Sequence, residues 1–145
     1  MIRRALTLAL LLGLPLTGPS AEEAEQSYLT LHFTGLDDRK GDLRIAVSGS
    51  PQKHSDENRP DIGMTVDLQR STGPVRLGPL PYGVYSVKAF QDINRNTRLD
   101  KNLLGRPAEP YGFSNNARGR FGPPSWESAL FSLQTPEHSL TIELK

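Results

Sequence analysis

Alternation with a period of two residues constrains this chain more than anything else in it. Side chains on a strand point to opposite faces in turn, so an apolar residue at every second position marks a strand with one buried face. In "SYLTLHFTG", Leu29, Leu31 and Phe33 share one face, and Tyr28, Thr30 and His32 share the other. "DLRIAVSG" repeats the pattern with Leu43, Ile45 and Val47, and Met64, Val66 and Leu68 do so again. Val75 and Leu77 form a short version, and Tyr85, Val87 and Ala89 line one face of "GVYSVKAFQ". Phe131 and Leu133, then Leu140, Ile142 and Leu144, complete the series. No sustained helical stripe competes. About seven short strands, each with a single apolar face, are best buried as two antiparallel sheets packed face to face. The fold expected is an all-β sandwich of the immunoglobulin or transthyretin kind. Turn signals at "GLDDRKGD" and "GPLPYG" agree with it.

The first 21 residues stand outside this pattern. Arg3 and Arg4 precede an apolar run from Ala5 to Leu16, and Gly18, Ser20 and Ala21 follow. Basic, apolar and small-residue regions in that order make a secretory signal peptide. The run is shorter than the ~20 residues of a membrane-spanning helix. Residues 1–21 are therefore read as a leader and 22–145 as a single domain, periplasmic or secreted, with no transmembrane span once the leader is removed. Two of the 17 basic residues lie in the leader, which leaves 15 against 16 acidic ones. A balance near −1 offers no electrostatic footprint for nucleic acid. With no cysteine, disulfides contribute nothing, and a bound ion becomes one alternative source of rigidity.

Two connections are long. Residues 48–63 are polar. Residues 92–128 exceed the length usual inside a compact domain, where such loops are either functional or disordered. Leu99, Leu103, Leu104, Tyr111, Phe113, Phe121 and Trp126 punctuate the second, so an ordered loop folded onto one end of the sandwich is expected.

That loop opens with "QDINRNTRLD". Hard cations take six to eight oxygen ligands, and alternate side chains of a tight loop supply several at once. Asp92, Asn94, Asn96, the main-chain carbonyl of Arg98, and Asp100 are the candidate ligands for calcium. Thr97 stands where a sharp-turn glycine belongs and Leu103 where a two-oxygen glutamate belongs, which excludes a helix–loop–helix calcium hand. Few carboxylates among Arg95, Arg98 and Lys101 point to the weak extracellular class, with dissociation constants of ~10⁻⁴ to 10⁻³ M. Two alternatives stand beside the ion. One is an Asx-rich turn bonded to its own backbone; the other is Arg118 or Arg120 as an internal cation beside Asp92. Further on, "YGFSNNARGRFGPPSWE" groups aromatics with two arginines. Arg118 and Arg120 could grip a carboxylate or phosphate, while Tyr111 or Trp126 offers a flat face to a sugar. Equally, the aromatics could form the small core that a loop of this length needs.

The stretches "LPYGVYSVKAFQDINRNTRLD" and "YGFSNNARGRFGPPSWE", with "LTLHFTGL" and "LTIELK" at the ends, resemble the bacterial domain of unknown function 2141 family of small exported proteins. The Pro-x-Gly-x-Tyr-x-Val portion also resembles transthyretin-like sandwich domains. The resemblance implies the same fold and no established activity. Members often carry glycine where this chain has Arg95 and Thr97.

Enzyme motifs are not apparent. His32, His54 and His138 lack metal-site spacing, and there is no nucleophile elbow or phosphate-cradling loop. Asp92 and Asp100 on one short loop beside arginines make a poor glycosidase pair. The expectation is an exported non-enzymatic module, with calcium as candidate cofactor, presenting its loop to an envelope protein or glycan. A purely structural envelope protein and a hydrolase of envelope polymers are the alternatives.

Overall fold

The computed structural model describes residues 25–56 and 58–145, so the leader lies outside the described residues. Eight strands form in chain order: β1 Gln26–Thr34, β2 Asp42–Ser48, β3 Ile62–Asp67, β4 Val75–Pro81, β5 Gly83–Asp92, β6 Tyr111–Phe113, β7 Phe131–Leu133 and β8 Glu137–Glu143. Two short helices, α1 Pro51–Ser55 and α2 Trp126–Ala129, sit in the two long connections.

One sheet has the order β4–β1–β8 and the other β3–β2–β5–β6. The long β5 serves two short partners in tandem: Gly83–Tyr85 pair with β7 and Lys88–Phe90 with β6. All pairings are antiparallel except β1 with β8, which runs parallel from Tyr28↔Glu137 to Thr34↔Glu143. The alternating residues meet between the sheets. Leu29, Leu31, Val47, Val87, Leu133 and Ile142 are completely buried there. Each such side chain contributes roughly 1.5–3 kcal/mol relative to exposure.

The inner face of β5 does not stop at Ala89. Gln91 continues it and is fully buried. Its amide clamps the β1–β2 turn, accepting from Asp37 N–H at 2.7 Å and donating to the carbonyls of Asp37 and Lys40 at 2.7 and 2.8 Å. Gly41 ends that turn at φ +69°, where a Cβ would lie 2.0 Å from the Asp92 carbonyl oxygen. The turn and the start of the long excursion are therefore locked together.

Residues 92–128 are not one loop. The chain leaves the sheet after Asp92, returns as β6, and passes through a short 3-10 turn and α2 before β7. Phe113, Ala117 and Ala129, with Tyr111 against them, make a second small core. Leu103, Leu104 and Phe121 differ from expectation: they are exposed rather than folded onto the sandwich.

Candidate functional site

Register places three aspartates side by side at one end of the larger sheet. Asp42 pairs with Asp67 on β3 and with Asp92 on β5. Like charges on neighbouring strands repel, and two arginines offset this. Arg44 Nε donates to Asp92 Oδ2 at 2.8 Å, and Arg95 reaches back to Asp42 at 3.5 Å and Asp67 at 3.0 Å. The internal cation beside Asp92 is thus Arg44 from β2, not Arg118 or Arg120.

Asp92 is completely buried. Besides Arg44, its carboxylate accepts the N–H groups of Asn96 at 2.9 Å and Thr97 at 2.8 Å. The chain winds around it in left-handed steps at Arg95, φ 61°, and Thr97, φ 73°. Asn94 Oδ1 accepts from Asn96 N–H and Asn96 Oδ1 from Arg98 N–H, two Asx turns in succession. Their amide nitrogens both donate to Asp100, at 2.6 and 2.7 Å. Asp92, Asn94, Asn96 and Asp100 therefore converge as one knot. Arg98 enters it through its main chain.

Glu109 closes the excursion from the far side. It is buried, and its two oxygens accept Ile93 N–H at 2.8 Å and Asp100 N–H at 3.0 Å. Neither Arg44 nor Glu109 was among the sequence candidates. Among the described residues no group of three or more His, Cys, Asp or Glu side chains is arranged to hold a metal ion.

The aromatic–arginine residues divide among three places. Arg118 donates to the Tyr111 carbonyl at 3.1 Å and the Glu143 carbonyl at 3.0 Å, with its guanidinium 5.3 Å from the centre of the Tyr111 ring. It clasps β6 to the end of β8. Arg120 lies against the exposed Phe121 ring at 5.5 Å. Trp126 instead meets the His54 ring edge-on at 5.9 Å.

His54 is buried on α1 between Ser86 Oγ at 2.8 Å and the Pro124 carbonyl at 3.0 Å. That carbonyl only accepts, so Nε2 donates to it, and in a neutral ring Nδ1 is then left to accept from the Ser86 hydroxyl. A serine beside a histidine is the arrangement of a nucleophilic hydrolase, yet Ser86 is 1% exposed and beyond a substrate's reach. At the opposite end of β5 from Asp92, Asp61 pairs with Lys53 and accepts Gly49 N–H at 2.6 Å. The Lys53 hydrogen bond holds the Asp61 carboxyl below the usual carboxylate range.

Among the described residues no helix is long and apolar enough to cross a membrane. Neither a curated protein nor a solved structure matches the chain. A family described as an uncharacterized protein conserved in bacteria matches residues 31–141, from β1 into β8. With most of its length matched, including the Asp92 knot and the β6 return, this chain belongs to the bacterial domain of unknown function 2141 family.

Proposed function

We propose that this chain is an exported, non-enzymatic β-sandwich module that holds residues 93–110 out as a fixed surface for a protein or glycan of the cell envelope. The observation that carries the reading is the bracket made by Asp92 and Glu109. Buried carboxylates are unfavourable unless fully hydrogen-bonded. Here they accept the backbone N–H groups of Ile93, Asn96, Thr97 and Asp100, so the cost of burying them is offset only when the excursion is ordered. Export rests on the composition of residues 1–21. The inaccessible Ser86 supports a binding role over hydrolysis. Glu109→Gln replaces one accepting oxygen by a donor and opens one end of the bracket. Limited proteolysis is expected to spare residues 93–110 in the wild type and to cut them in Glu109→Gln, with capture of the envelope component lost together. An excursion cut in the wild type as fast as in urea-unfolded chain would end this reading.

A second reading adds calcium, favoured by the convergence of Asp92, Asn94, Asn96 and Asp100 around two left-handed residues. An ion there would have to turn the Asn94 and Asn96 amide nitrogens away from Asp100, and with Arg44 already neutralising Asp92 such a site belongs to the weak class. Melting in about 10 mM calcium, at least tenfold above such a dissociation constant, is expected to exceed melting in chelator by about 4 °C or more. Superimposed curves would remove the ion and leave Arg44 as the sole counter-charge.

A further inference from the structure

We propose that the tip of the excursion, Leu103–Leu104, seats in the surface of an anionic lipid bilayer. The inference rests on the presented-surface reading but gives that surface a lipid partner in place of a protein or glycan. Two consecutive leucines at 106% and 80% exposure give almost their whole side chains to solvent. They are held there rather than left slack. Asn102 N–H donates to the Arg106 carbonyl at 2.8 Å, and its own carbonyl accepts Gly105 N–H at 2.9 Å. Its side-chain oxygen accepts the N–H groups of Leu104 at 2.9 Å and Arg106 at 3.1 Å. A bridge between Lys101 and Pro107 closes the base, and Gly105 makes the reversal at φ 73°.

This construction suits lipid. A backbone polar group entering a bilayer needs a partner within the protein, because no water is there to supply one. The N–H groups of Asn102, Leu104, Gly105 and Arg106 already have partners, which leaves the Leu103 N–H of this turn to the wet headgroup level that an interfacial position retains. Lys101 and Arg106 flank the leucines in the hairpin and Arg98 precedes it in the chain; all three are exposed, and among the described residues no ion pair engages them. The acids of the excursion, Asp100 and Glu109, are turned inward onto the Asn94 and Asn96 amides and the backbone. An exposed apolar tip flanked by Lys101 and Arg106, with Arg98 just before it in the chain, matches an anionic surface. The leucines enter the acyl boundary while the cations meet lipid phosphates.

Flotation of the purified protein with phosphatidylethanolamine vesicles, with and without phosphatidylglycerol, tests this. Binding is expected only when phosphatidylglycerol is present, and it weakens severalfold as salt rises from about 0.1 to 0.5 M. Leu103→Ser combined with Leu104→Ser lowers it at least tenfold without moving Tm. Val84→Ser removes another exposed apolar residue at the far end of β5 and leaves binding unchanged. Absence of flotation, or equal binding by the double variant, would overturn the proposal. A photo-reactive side chain at position 103 separates the two levels. In an envelope fraction a lipid adduct supports the bilayer, whereas a protein adduct overturns it and leaves the presented surface standing. Protease sensitivity of wild-type residues 93–110 would remove both.

Discussion

Thr97 has a β-branched side chain at φ 73°, a region in which such residues are strained by about 1–2 kcal/mol. Its N–H is held by Asp92 at 2.8 Å, so the backbone does not relax. The side chain is exposed, and its replacement by glycine removes the strain while adding ~0.5–1 kcal/mol of unfolded-state entropy. Thr97→Gly is therefore expected to stabilise by about 0.5–1 kcal/mol, measured as a raised urea midpoint; a lowered midpoint would show that Thr97 is not strained. Arg95 shares the conformation but bridges Asp42 and Asp67, so the same exchange there would also lose two ion pairs. At this scale the spacing of Asp92, Asn94, Asn96 and Asp100 was legible because Asx turns are local. Arg44 and Glu109 were not. Arg44 looks like any outward residue of a strand until register sets it beside Asp92, and Glu109 sits beyond any spacing rule for the loop it closes.

Among the elements, those marked by alternating apolar residues were readable, even three-residue β7 through Phe131 and Leu133, whereas β6 and α1 were not. β6 has three residues and α1 five, too few for a period of 2 or 3.6 to declare itself. β6 forms because β5 exposes an edge at Lys88–Phe90, and α1 because Ser50 caps Lys53 N–H at 3.3 Å and Pro51 begins the turn. Lys53 also ties α1 to Asp61 ahead of β3. That tie has a pH signature. Because the folded Asp61 value lies below its ordinary 3.8, the stabilisation is complete above that pH and disappears as pH falls through the folded value. Asp61→Asn is expected to lower the urea midpoint modestly at pH 7 and to flatten the decline of stability below about pH 4. Parallel wild-type and variant curves across the acid limb would place the Lys53 contact outside the energetics of folding.

The whole molecule is closed by a seam that strand alternation did not announce. The end of β8 crosses from the smaller sheet onto β6, where Tyr111 and Lys145 exchange N–H···O bonds at 3.1 and 3.0 Å. Asn116 accepts Glu143 N–H at 2.8 Å alongside. Gly112 sits at the crossing, and a Cβ there would lie 2.5 Å from the Glu143 carbonyl oxygen, with the Ile142 and Leu144 side chains at 2.9 and 3.1 Å. Gly112→Ala is expected to destabilise by about 2–3 kcal/mol, read as a lower urea midpoint with faster exchange of the Tyr111 and Lys145 amides. A neutral result would mean that the seam yields. The parallel pairing of β1 with β8 brings Thr34 and Glu143 to the same end as that seam, while Glu25 meets Tyr82 at the other. Nine residues of extended chain separate the two ends of β1, ~30 Å. Cargo fused ahead of Gln26 therefore rides on the opposite pole from the Leu103–Leu104 hairpin and leaves it unobstructed, whereas the same cargo appended after Lys145 would crowd the very region where β6 comes home.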